Sequence, residues 1–130
     1  MARILIIDDD PEVADTLAAM LDDLGHEAQC VHEAAEGMAR AAAVDADVVL
    51  LDLNLPRVTG LSAFEALRRR RLGVPIVMIS GAVDTTALRQ AVRGGAFDYL
   101  TKPIELGDLE RVVNAAVAAR ELARRRGRTT

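Results

Sequence analysis

An α/β fold, a doubly wound (βα)5 three-layer sandwich built on a parallel sheet, is what this chain predicts. Five short apolar runs alternate with five stretches of helical periodicity, and the connections between them are short. Three runs also lead into charged residues. Ile4-Leu5-Ile6-Ile7 runs into Asp8-Asp9, Val48-Val49-Leu50-Leu51 into Asp52, and Phe97-Asp98-Tyr99-Leu100 into Thr101-Lys102-Pro103. Unbroken apolar runs bounded by turn residues suit strands buried on both faces of a parallel sheet. In such sheets ligands sit beyond the carboxyl ends of the strands, where the winding reverses.

The first strand is Ile4 to Ile7. Asp10 caps the following helix and Pro11 opens its first turn. Val13, Leu17, Leu21 and Leu24 give that helix one apolar face, and Gly25 ends it. Residues 27 to 31 make a weak second strand, followed by an Ala-rich helix from about Glu33 to Ala43. Val48 to Leu51 is the third strand, and Pro56 and Gly60 break the loop after it. The third helix carries Leu61, Phe64 and Leu67 and ends near Arg68-Arg69-Arg70-Arg71 and Gly73. Val74 to Ile79 is the fourth strand, with Pro75 near its start, where a missing donor does least harm. Ser80-Gly81 follows. Asp84 caps a short helix with Leu88 and Val92, closed by Gly94-Gly95. Phe97 to Leu100 is the fifth strand. The last helix runs from about Glu105 past Arg120, with Leu106, Leu109, Val113, Ala116 and Val117 on one side.

Composition bounds the function. The 130 residues make one domain with an aliphatic core, since 51% are hydrophobic but only Phe64, Phe97 and Tyr99 are aromatic. Residues 1–122 form that domain and 123–130 a basic C-terminal tail or linker stub. A net charge of −4 gives no general attraction to nucleic acid. No apolar stretch approaches the roughly 18 residues of a membrane span, and Met1-Ala2-Arg3 leads straight into a strand rather than a secretion signal. The lone Cys30 suits a reducing cytoplasm and reads as an inert buried thiol.

If the strands lie side by side, Asp8, Asp9, Asp52, Ser80 and Lys102 share one edge. Two carboxylates about 4 Å apart repel by roughly 4 kcal/mol at an effective dielectric near 20. A hard divalent cation held through oxygen is the natural neutraliser. The edge is therefore a site for phosphate chemistry.

Four motifs in order resemble the receiver domain of two-component response regulators, most like those of NtrC-type regulators. They are Asp8-Asp9; Asp52-Leu53-Asn54-Leu55-Pro56 with Gly60; Ser80-Gly81-Ala82; and Ala96-Phe97-Asp98-Tyr99-Leu100-Thr101-Lys102-Pro103. The resemblance implies a flavodoxin-like sheet of order 2-1-3-4-5. It implies a phosphorylation switch rather than a turnover enzyme, working in the cytoplasm with Mg²⁺. Asp52 would accept a phosphoryl group from a sensor histidine kinase or a histidine phosphotransfer protein. Asp8, Asp9, Asp52 and the backbone carbonyl of Asn54 would hold the Mg²⁺. Lys102 would meet a phosphoryl oxygen, aimed by a cis peptide before Pro103. Ser80 would swing its hydroxyl onto the phosphoryl group and Tyr99 would fill the vacated space, reshaping the face of helix four, strand five and helix five. That face would control an output domain or partner, or pair two copies in a homodimer. Asn54 and Ala82 would flank the path of an attacking water.

Other residues take plainer readings. His26 and His32 bracket the weak second strand, away from the acidic edge, and read as surface histidines rather than phosphoryl carriers. Arg68 to Arg71 reads as a solvated helix end, where cations suit the macrodipole. Arg124-Arg125-Arg126-Gly127-Arg128 reads as a solvated linker or frayed terminus, leading to an output domain beyond residue 130 or ending a stand-alone receiver. Two rival functions are a phosphohydrolase with an aspartyl nucleophile and a binding module independent of phosphorylation. Against the first, Asn54 stands where such enzymes carry a second acid.

Overall fold

The computed structural model describes residues 2–55, 59–70, 73–81 and 85–128, without the side chains of Ala42, Thr85 and Arg128. Pro56, Arg71, Ala82 and the cap at Asp84 lie outside the described residues. The elements alternate as β1 (Arg3–Ile7), α1 (Pro11–Asp23), β2 (Glu27–Val31), α2 (Ala34–Ala43), β3 (Val48–Asp52), α3 (Gly60–Arg69), β4 (Ile76–Ser80), α4 (Thr85–Arg93), β5 (Asp98–Thr101) and α5 (Leu106–Arg128). All strand pairs are parallel, in the order β2-β1-β3-β4-β5.

Because side chains alternate along each strand, the sheet feeds two cores. Leu5, Ile7, Val49, Leu51, Ile76 and Met78 pack with Phe64, Leu67, Leu88 and Ala91, under α2, α3 and α4. Ile4, Ile6, Val48, Leu50, Val77 and Ile79 pack on the other face with Ala14, Leu17 and Leu21 of α1 and Leu109, Val112, Val113 and Ala116 of α5. The central strands are buried apart from Arg3 at the start of β1, whereas the edge strands β2 and β5 are half exposed.

Local chemistry sets the boundaries. Asp10 caps α1 by accepting from the Glu12 amide at 3.0 Å, and Pro11 occupies the first turn as expected. Gly25 takes φ +86° beyond the end of α1, a left-handed conformation that suits glycine. Some expectations need correction. β4 begins at Ile76, not Val74: Pro75 cannot donate, and contributes only its carbonyl, which accepts from the Val49 amide. β5 is shifted by one, to Asp98–Thr101. In α5, Leu106 is exposed and Val112 is buried, because the face toward the sheet begins at Leu109.

The last helix continues through Arg128. Arg124 donates to Asp47 at 2.8 Å and lies 3.4 Å from Asp45, which Arg120 also meets at 3.3 Å. Arg125 and Arg126 are exposed, whereas Arg124 is half-buried.

Candidate functional site

Register brings the acidic edge together. Ile7 pairs with Leu51, so Asp8 and Asp52 each stand one residue beyond that pair. Asp52 pairs with Ile79 and Ser80 with Thr101, which puts Ser80 and Lys102 one step further along their strands. Asp8, Asp9 and Asp52 each bring a carboxylate oxygen within 4.8 Å of the others. Lys102 Nζ lies 3.1 Å from Asp8 Oδ2 and 3.5 Å from Asp52 Oδ2. Every residue predicted for the site on the β1, β3, β4 and β5 ends is therefore at this edge, and Tyr99 is close by on β5.

Burial differs sharply within the group. Asp8, Asp52 and Ser80 are buried, Asp9 is exposed, and Lys102 is intermediate. Asp52 Oδ1 accepts from the Asn54 amide at 3.0 Å, and Asp8 Oδ1 from the Asp10 amide at 2.9 Å. Among the described residues, Asp8 Oδ2 has the Lys102 ion pair but no aligned hydrogen-bond donor. Burial pushes the Asp52 carboxyl up to about 6, opposed by the Asn54 amide, reinforced by the Asp8 charge and opposed again by Lys102. For Lys102, burial works against the ammonium. The contacts with Asp8 and Asp52 outweigh it and hold the pKa above the ordinary lysine value.

Among the described residues, one ammonium thus answers three carboxylates. The donors are all oxygens, they converge, and one buried oxygen lacks an aligned donor. That set fits a small hard dication.

The backbone around Asp52 is held from two sides. The Leu53 amide donates to the Ile79 carbonyl at 2.8 Å, and the Gly60 amide to the Leu53 carbonyl at 2.8 Å. Gly60 packs so closely on Asp52 and Leu53 that a Cβ there would collide with their backbone atoms. Leu53 and Leu55 are buried and anchor the loop. The Lys102 amide donates to the Ser80 carbonyl at 2.7 Å, the Lys102–Pro103 peptide is cis as expected, and the lysine stem passes over Gly81.

Tyr99 is 47% exposed and borders a cleft of about 410 Å³ with Leu88, Arg89, Val92 and Arg93 of α4. Cys30 is half-buried, its thiol pKa raised first by burial and then by Asp15 and Asp8.

Two features of the site were not expected from sequence. The close packing of Gly60 is one; its only signal was a glycine eight residues after Asp52. The other is His32, expected far from the acidic edge. Its Nδ1 lies 2.9 Å from the Asp8 carbonyl oxygen, because β2 neighbours β1 and ends level with it.

The family model of the response regulator receiver domain matches residues 4–114, and the chain belongs to this family. It is therefore a signalling domain of two-component systems. Among curated relatives, it is 36% identical over 111 residues to the DNA-binding dual master transcriptional regulator RpaA of Synechocystis, covering 84% of this chain and 46% of that one. It is 33% identical over 129 residues to the tetrathionate response regulatory protein TtrR of Salmonella typhimurium, covering 94% and 63%. Protein PilH of Pseudomonas aeruginosa is 35% identical over 120 residues, covering 91% and 99%. The chain thus spans about half the length of RpaA and nearly all of PilH. Among solved structures, NtrX from Brucella abortus superposes with a TM-score of 0.91 at 30% identity, covering 99% of this chain and 30% of that one. A receiver domain protein from Clostridium thermocellum gives 0.89 at 26% identity, covering 95% and 99%. Among the described residues, no helix is long and apolar enough to cross a membrane.

Proposed function

We propose that this receiver accepts a phosphoryl group on Asp52 from a phosphohistidine of a sensor histidine kinase or histidine phosphotransfer protein. The observation that carries the reading is the convergence of Asp8, Asp9 and Asp52 within 4.8 Å, with Lys102 at 3.1 and 3.5 Å. Asp8, Asp9 and Asp52 would hold Mg²⁺, with the Asn54 carbonyl as a further ligand. Bound there, the ion would offset the repulsion between an anionic nucleophile and an anionic donor.

The chain's own groups do the rest. An Asp52 oxygen forms a bond to phosphorus while the bond from phosphorus to the donor's imidazole nitrogen breaks, and that electron pair leaves with the imidazole. Lys102 is near enough to Asp52 to place its ammonium on a phosphoryl oxygen. A groove of about 480 Å³ beside Lys102, lined by Val13, Leu17, Met20, Pro103 and Ile104, would receive the donor protein.

The output is a surface change. Ser80 turns its hydroxyl to the phosphoryl group, Tyr99 moves inward from its exposed position, and the α4–β5–α5 face alters. A dianion has then biased a two-state element. The altered face controls an output domain or partner, or pairs two copies. Arg89 and Arg93 on α4 with Asp98 and Asp108 on β5 and α5 give it both signs of charge. The domain acts in the cytoplasm, transfers phosphorus to itself and hydrolyses it slowly. It turns over no generic phosphate ester, because Asn54 cannot serve as general acid.

Beryllofluoride titration tests this reading. With Mg²⁺ present, amide resonances at Asp8, Asp52, Ser80 and Lys102 and along the α4–β5–α5 face should shift together. Shifts confined to the acidic edge would contradict the switch, and no shifts at all would contradict the acceptor site.

A further inference from the structure

We propose that His32 is a positioning residue for the cation-binding acids, holding the peptide between Asp8 and Asp9 in the orientation that turns Asp9 toward Asp52. This rests on the reading of Asp8 and Asp9 as ligands. A carbonyl oxygen can only accept, so the 2.9 Å contact from His32 Nδ1 to the Asp8 carbonyl requires hydrogen on Nδ1. His26 does the reverse at the other end of β2, where its Nδ1 accepts from the Ala2 amide at 3.2 Å. The two histidines therefore pin both ends of β1 to the edge strand.

The pinning matters most at the acid pair. The Asp8 amide donates to the Val31 carbonyl at 3.1 Å, Asp8 Oδ1 accepts from the Asp10 amide, and Asp8 Oδ2 faces Lys102. Those ties fix Asp8 itself. The His32 contact bears on the next peptide plane, and a planar peptide carries the orientation of its oxygen through to the following Cα. Asp9 is the exposed member of the three acids and sits in the turn between β1 and α1. An outer contact that orients a ligand typically changes metal affinity 10- to 100-fold.

The test uses the full chain with His32→Ala and His32→Asn, the latter because the asparagine amide can place an N–H near the Nδ1 position. Two quantities are read: Mg²⁺ affinity by calorimetry, and hydrogen exchange of the Asp10 amide without metal. His32→Ala should weaken Mg²⁺ about tenfold and speed exchange at Asp10, and His32→Asn should restore most of both. Unchanged exchange and affinity in His32→Ala would overturn the proposal, as would an Asn variant no better than Ala. If the unaltered chain binds no Mg²⁺, the ligand reading fails. The exchange data then still decide whether His32 holds the turn.

Discussion

Lys102 Nζ stands 3.1 Å from Asp8 Oδ2, a buried oxygen with no aligned donor among the described residues. The ammonium thus serves as the fold's own counter-ion for an acid cluster. Lys102→Ala should leave Asp8 and Asp52 facing each other without compensation. Breaking a buried pair costs about 3–5 kcal/mol; because Lys102 is partly exposed, a loss of about 1–3 kcal/mol is expected from urea denaturation in EDTA. Mg²⁺ binding should survive and restore most of that loss, while the beryllofluoride shifts on the α4–β5–α5 face disappear. A variant as stable as the parent in EDTA would contradict the counter-ion role.

Asp52 carries a pH signature. Its folded pKa, about 6, lies above the ordinary 3.8, so the native state holds more protons between those values. The sign follows from linkage: this group's contribution to stability falls as pH rises from about 4 to about 6. Asp52→Asn removes that penalty. In EDTA the variant should be more stable than the parent at pH 7, by on the order of 1–3 kcal/mol, and the gain should shrink toward pH 4.5. Equal gains at both pH values would show that the carboxyl is not strained by burial.

Gly60 tests the seating of the acceptor. Gly60→Ala pushes a methyl into the Asp52 and Leu53 backbone, so the loop or α3 must shift. A loss of about 2 kcal/mol or more is expected, with weaker Mg²⁺ binding. Full stability and affinity together would mean the contact is easily relieved.

Asp47 links three parts of the chain. It accepts from the Arg3 amide at 2.8 Å and from Arg124 at 2.8 Å, joining the start of β1, the turn before β3 and the end of α5. Asp47→Ala should speed amide exchange in the last turns of α5 and cost about 1–2 kcal/mol. Arg124→Ala should cost about 1 kcal/mol or less, because the pair is partly exposed. Unaltered exchange beyond Arg120 in both variants would show that α5 holds itself.

What the sequence reveals depends on where each residue lies. β1, β3 and β4 are buried on both faces, so their runs of Ile, Val and Leu stand out. β2 reads as weak because it is an edge strand, with Glu27 and Gln29 among its five residues. The acids are legible because each follows a strand directly, and a parallel register aligns strand ends. His32 is exposed, as its reading as a surface histidine has it, but its contact with the acidic edge escapes for the complementary reason. Its partner is a backbone carbonyl, and no side-chain pattern announces which carbonyl lies across a strand pair. The ion pairs of Arg120 and Arg124 escape too, since they span 75 to 79 residues and join a loop to a helix end.

The central claim is that one aspartyl oxygen accepts phosphorus. The most direct test is incubation with acetyl phosphate and Mg²⁺, followed by intact mass and borohydride trapping, which reduces an aspartyl phosphate to homoserine. A single phosphoryl group should appear, homoserine should map to position 52, and Asp52→Asn should remain unlabelled. A stable label on that variant, or trapping at another position, would remove Asp52 from its role.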